Sequence, residues 1–137
     1  MLNTNYPDIE NKTFPNLELS LAEPTIKFNL RGKNRDFFAK VGKIISIMLP
    51  TEANTSASIK NISALWLSPD EWLIYGNDID TSLETSLSNE ISKLNIGSVT
   101  NVSDQWVLIN MKGENVFEIF SKGSPYNFNN FKNNKNV

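Results

Sequence analysis

Residues 64–76 read ALWLSPDEWLIYG. Two apolar runs flank Ser68-Pro69-Asp70-Glu71, which has the composition of a tight turn. Pro69 holds φ near −65°, which excludes a type I′ turn, where the central residues need positive φ. A four-residue loop around a type I turn, with Ser68 first and Glu71 last, fits instead. That register sets Leu67 against Trp72 and Leu65 against Ile74. These four share one face, and Trp66, Leu73 and Tyr75 share the other. Both faces are apolar, whereas a hairpin with one wet side alternates apolar with polar. The hairpin is therefore expected to be covered on both sides.

Upstream, TIKFNLRG (25–32) alternates, with Ile26, Phe28 and Leu30 opposite Lys27, Asn29 and Arg31. This is a half-buried strand ending at Gly32. NRDFFAKVGK follows as a helix, with Asn34 as N-cap, Phe37, Phe38 and Val41 on one stripe, and Gly42 closing it. IISIMLP reads as a short buried strand stopped by Pro50, and TEANTSAS as a loop. Downstream, Thr81-Ser82-Leu83-Glu84 has capping-box spacing. Leu83, Leu87, Ile91 and Leu94 form one stripe of a helix that Gly97 ends. SVTNVSDQWVLINMKG holds two short strand segments meeting near Ser103-Asp104. ENVFEIFSKG is a last short helix, with Val116, Ile119 and Phe120 inward and Gly123 as its stop.

The resulting order, β-α-β-β-β-α-β-β-α, predicts an α+β fold. The sheet is antiparallel or mixed, with helices on one side, and the connection lengths suit ferredoxin-like plait halves. The domain reading is an N-terminal arm over 1–23, a single domain over 24–126 and a mobile tail over 127–137.

Composition narrows the function. The chain has 137 residues, a net charge of −2, no Cys and no His. A thiolate nucleophile, a disulfide and a Cys-based metal site are excluded. The most frequent general base and metal ligand is missing too. No basic stripe tracks phosphates, and neither a Walker A nor a G-x-G-x-x-G motif occurs, so nucleic-acid and phosphate binding are not expected. No apolar run approaches twenty residues, and the first fourteen residues hold no signal-peptide core. These features predict a cytoplasmic protein without a membrane span.

The ordered set Leu65-Trp66-Leu67-Ser68-Pro69-Asp70-Glu71-Trp72-Leu73, Val102-Ser103-Asp104, Lys112-Gly113 and Lys122-Gly123-Ser124-Pro125 resembles the gamma subunit of heterotetrameric sarcosine oxidase. The likeness covers about residues 24–131, and the nine-residue hairpin is its specific part. Gln105 stands where the family pattern has Arg, Ser124 replaces a frequent Cys, and the sequence is short at the C-terminus relative to the pattern. The resemblance implies a fold similar to the folate-binding, aminomethyltransferase-like glycine-cleavage T-protein. It implies a complex that oxidatively demethylates sarcosine to glycine and passes the one-carbon unit to tetrahydrofolate. FAD, FMN, NAD and tetrahydrofolate would then lie in larger, flavin-bearing partner subunits, with no cofactor, metal or catalytic residue in this chain. The alternative is a stand-alone folate or small-molecule binder of the same fold, and a further reading is self-association of the isolated chain.

Each candidate residue also has an ordinary reading. Asp70 and Glu71 could await an amine, but Asp is common in turns and adjacent strand residues point apart. Ser103 and Asp104 are candidate folate contacts, but both favour turns and no Arg follows them. Trp66, Trp72, Tyr75, Tyr126 and Phe128 are the candidate partner surface, since aromatic residues anchor interfaces as well as cores.

Overall fold

A computed structural model describes residues 11–128. The chain divides into two units. One runs from Thr25 to Ser103; the other joins the residues up to Pro24 with those from Asp104 onward. The expected single domain over 24–126 is corrected accordingly. The expected N-terminal arm is corrected too: within its described part, β1 (Lys12–Phe14) and β2 (Leu17–Leu21) form a hairpin. Of the expected tail, residues 129–137 lie outside the described residues.

The Thr25–Ser103 unit contains β3 (Ile26–Arg31), α1 (Arg35–Ile45), β4 (Ser56–Ile59), β5 (Ile62–Ser68), β6 (Glu71–Gly76), α2 (Thr81–Leu87) and β7 (Ser98–Asn101). Its sheet order is β4-β5-β6-β3-β7, and every pairing is antiparallel. Set β4 aside and the order β5-β6-β3-β7, with α1 after β3 and α2 after β6, is the ferredoxin-like plait. Phe28, Leu30, Ala64, Trp72 and Ile74 on the sheet pack with Phe37, Val41 and Ile45 of α1 and with Leu87 and Ile91, so both helices lie on one face.

The helices start where polar caps allow. Asn34 Oδ1 accepts from Phe37 N at 2.7 Å, as expected for α1. The helix does not stop at Gly42 but continues to Ile45, where Ser46 takes the left-handed conformation at φ 58°. The expected strand over IISIMLP is thus the last two residues of α1 followed by five residues outside any strand. Its Ile45, Ile47 and Leu49 are still buried, because alternation needs an apolar neighbour rather than a ladder partner. The N-cap of α2 is Asp80, whose Oδ1 accepts from Leu83 N at 2.9 Å, rather than Thr81. After α2 the chain widens into a π-helical turn, Ser88–Ser92, with Lys93 N donating to Ser88 O at 3.0 Å. That widening takes Leu94 off the buried stripe and leaves it 55% exposed.

The second unit has a three-stranded antiparallel sheet, β1-β2-β8, with β8 spanning Ile109–Lys112. It is followed by α3 (Val116–Gly123). The backbone is locked by Gly113, at φ 127°, where a Cβ would sit 2.1 Å from Asn16 O. Leu17 is this unit's buried hydrophobic residue among those described, and α3 has none. Ile119 and Phe120, expected to face inward, are 37% and 42% exposed.

Candidate interface and the hairpin that carries it

The β5–β6 hairpin forms, but its register differs from the expected one. Trp66 pairs with Trp72, Leu65 with Leu73 and Ala64 with Ile74, and Leu67 is an extra residue between Trp66 and Ser68. The bulge accommodates the Ser68–Glu71 turn and leaves Leu67 40% exposed. Because side chains alternate, this one-residue slip puts both tryptophans on the same, helix-facing side.

Trp72 is fully buried. Its Nε1 donates to Pro50 O at 2.7 Å, and its ring lies 5.8 Å from Phe37 and 5.2 Å from Phe38. It has no surface to offer a partner, which corrects its assignment as an interface residue. Trp66 is half-buried against the same core, and its buried Nε1 has no acceptor. Tyr75 is half-buried on the opposite face, across from Lys27 and Ser63. The opposite face is not uniformly apolar: Lys27, only 1% exposed, donates from Nζ to Thr25 O at 2.9 Å. The alternation of TIKFNLRG assigns Lys27 to that face, but not its burial.

The tip acids are bound to the chain itself. Asp70 accepts from Ser68 Oγ at 2.9 Å and pairs with Lys33 at 3.5 Å. The Ser68 hydrogen bond, aided by the Lys33 and Arg31 charges, holds its carboxyl below the usual range. Its backbone carbonyl accepts from Gly32 N at 3.1 Å. Glu71 accepts from Asn29 Nδ2 at 2.7 Å and from the Arg31 guanidinium at 3.2 Å. Asn29, Arg31 and Lys33 therefore clamp the tip to the end of β3. Alternation did not single them out, since each is an unremarkable polar residue on a strand or turn.

Ser103 is likewise committed. Its Oγ accepts from Lys27 N at 3.0 Å and donates to Asn101 Oδ1 at 2.7 Å. With Val102 N donating to Lys27 O at 2.9 Å, it prolongs the β3–β7 ladder beyond Asn101. Both of these bonds serve the end of the strand. Asp104 is exposed. No group of three or more His, Cys, Asp and Glu residues that could hold a metal occurs among the described residues.

Tyr126 and Phe128 belong to the other unit. The Phe128 ring is 5.3 Å from Phe120, stacked, and 5.3 Å from Tyr126, edge-on. With Glu114, Phe117 and Glu118 they line an open cleft of about 430 Å³ beside α3. The surface around this unit carries Phe14, Trp106, Val107 and Ile109, each between 38% and 52% exposed. Sequence reading placed Trp106 in a strand alternation and missed its exposure. An exposed residue and a half-buried one give the same pattern there.

The profile of the sarcosine oxidase gamma subunit family (SoxG) matches residues 31–137, well over half of the sequence. The chain belongs to this family. No curated protein matches the sequence. Among solved structures, a chain of the heterotetrameric sarcosine oxidase from Corynebacterium sp. U-96, in complex with pyrrole 2-carboxylate, superposes with a TM-score of 0.75 at 19% identity. The match covers 85% of this chain and 60% of that one. The α+β architecture of the gamma subunit family member described above is thus shared with that chain, while this chain spans about 60% of its length. No helix among the described residues is long and apolar enough to cross a membrane.

Proposed function

We propose that this gamma subunit family member is a non-catalytic assembly subunit of a sarcosine-oxidase-type complex in the cytoplasm. Family membership is the observation that carries the reading. Two features of the chain support it. The acids and hydroxyl at the candidate positions, Asp70, Glu71 and Ser103, are used in internal hydrogen bonds. The unit holding β8 and α3 leaves Phe14, Trp106, Ile109 and Phe120 exposed, a surface of the kind that obligate assemblies cover. In this reading the complex demethylates sarcosine oxidatively to glycine and passes the one-carbon unit to tetrahydrofolate. FAD, FMN, NAD and tetrahydrofolate belong to the larger subunits, and this chain braces them.

The test is isolation of the tagged full chain from its native cells, followed by partner masses, flavin absorbance and sarcosine-dependent peroxide formation. Flavin-bearing partners with sarcosine turnover are expected, and turnover by the isolated chain is not. A titration of the isolated chain with reduced folate separates the alternative: saturable binding would favour a folate-binding protein over an assembly subunit.

A further inference from the structure

A cleft of about 420 Å³ lies wholly within the Thr25–Ser103 unit. The end of α1, the β4–β5 turn and the β6–α2 loop meet there. Ile44, Ile59, Ile62 and Leu83 make its walls apolar, and Lys60, Asp78 and Asp80, all exposed, stand on its rim. Its size is that of a site for a small organic molecule. The assembly role proposed above makes no use of it.

Two features mark this cleft as built rather than incidental. The first is backbone conformation. Five non-glycine residues among those described have positive φ. Three are asparagines, which tolerate it; the other two, Ser46 at φ 58° and Lys60 at φ 51°, both line this cleft. Strained conformations of this kind gather at functional sites. The second feature is bracing. Asn61 O accepts from Asn77 N at 3.2 Å, and Asn61 Nδ2 donates to Asp78 Oδ1 at 3.2 Å. A Cβ on Gly76 would sit 1.9 Å from Asn61 O, so the turn that carries Lys60 is seated directly on the end of β6. A ligand therefore meets a rim that needs no ordering.

The charges on the rim decide the ligand. Asp80 Oδ1 is occupied, accepting from Ser82 Oγ at 2.7 Å and from Leu83 N at 2.9 Å. Asp78 gives one oxygen to Asn61, and its Oδ2 accepts from no donor among the described residues. Lys60 makes no hydrogen bond or ion pair among the described residues, with Asp78 or with any other group. Lys60 directly precedes Asn61, which holds Asp78, so an open ammonium and an open carboxylate stand on neighbouring parts of one rim. An anion alone is repelled by Asp78 and Asp80, and a cation alone by Lys60. A zwitterion satisfies both signs. We infer that the cleft binds a free α-amino acid with a branched aliphatic side chain. Its carboxylate takes Lys60 Nζ, its ammonium takes Asp78 Oδ2, and its side chain lies against Ile44, Ile59 and Leu83.

The experiment titrates the full chain with three probes of one skeleton and follows its backbone amide resonances. The probes are L-leucine, isocaproate, which lacks the ammonium, and isoamylamine, which lacks the carboxylate. Leucine should shift Ser46, Lys60 and Asp78 saturably, with a Kd on the order of 1 mM, as suits so small a ligand. Each truncated probe should bind at least about fivefold more weakly. Lys60→Gln should erase leucine's advantage over isoamylamine alone, and Asp78→Asn its advantage over isocaproate alone. Both positions are exposed, so the urea midpoints of these variants should match the parent's. A purely structural role for either residue would not move the two preferences separately. Equal binding by all three probes, no saturable shift with leucine up to about 20 mM, or shifts confined to residues outside the cleft overturns the inference. Failure to recover flavin-bearing partners would overturn the proposed function and leave this inference standing.

Discussion

Trp66 and Trp72 are chemically identical neighbours with opposite roles. Trp72 fills the core and satisfies Pro50 O; Trp66 holds a buried N–H with nothing to accept it. An orphaned buried donor costs about 1–3 kcal/mol. Trp66→Phe deletes that donor along with some packing, and the two effects should nearly cancel, leaving stability within about 1 kcal/mol of the parent. Trp72→Phe deletes packing and strands a carbonyl, so it should cost about 2 kcal/mol or more. Urea midpoints of the two variants, measured side by side, check the ordering. Carboxylates set the acid limb. The Leu83 backbone N–H and the Ser82 hydroxyl hold the Asp80 carboxyl below its ordinary range, as Ser68 holds that of Asp70. The hydrogen bond and charge of Lys40 do the same for Glu90. A lowered folded pKa contributes stability above the unfolded value, lost as pH falls through the folded one. The melting temperature should therefore hold from neutrality to about pH 5 and fall below about pH 4. Asp80→Ala should lower it at pH 7 and shallow that fall, as thermal scans across pH would show.

At the scale of elements, α1 is seated by two glycines rather than by its own face alone. A Cβ on Gly32 would meet the Phe37 ring at 2.4 Å, and one on Gly97 would meet Arg31 O at 2.5 Å and the same ring at 2.6 Å. A backbone oxygen cannot step aside as a flexible side chain can. Gly97→Ala should cost about 1–3 kcal/mol by overpacking, while Ser98→Ala, on the exposed edge, should stay within about 0.5 kcal/mol; chemical denaturation separates them. The strand β3, the cap Asn34 and the hairpin were legible because each rests on a local rule: alternation, a side-chain acceptor, a proline in a turn. The bulge at Leu67 was not, because twist and packing decide where an extra residue is tolerated. The same holds for the π-turn after Leu87. A 3.6-residue period assumed through Leu94 cannot report a single wide turn.

Across the whole chain, burial is divided unevenly. The Thr25–Ser103 unit owns the contiguous core, whereas the other has Leu17 as its buried hydrophobic side chain among the described residues. Amides of β3 and β6 should therefore exchange slowest, and those of β8 and α3 much faster, in the isolated chain; residue-resolved exchange tests this. The plait was readable from the order of elements, yet the division into two units was not. It depends on β2 pairing with β8, ninety residues away, and nothing local marks either strand for the other. The candidate surface was half-legible for a related reason. Aromatic residues at Trp72 and Trp106 look alike in a string, and only the neighbours brought in from afar make one interior and the other accessible.

That uneven placement of indoles gives the molecule its own optical labels. Trp72 sits in a dry environment, with Trp66 half-buried in the same unit, and Trp106 in the other unit is 51% exposed. Emission from Trp106 should lie to the red and yield to acrylamide, while that from Trp72 should lie to the blue and resist the quencher. Loss of quenching when another molecule is added would then report on one half of the chain, and a red shift on heating would report on the other, with no dye attached to either.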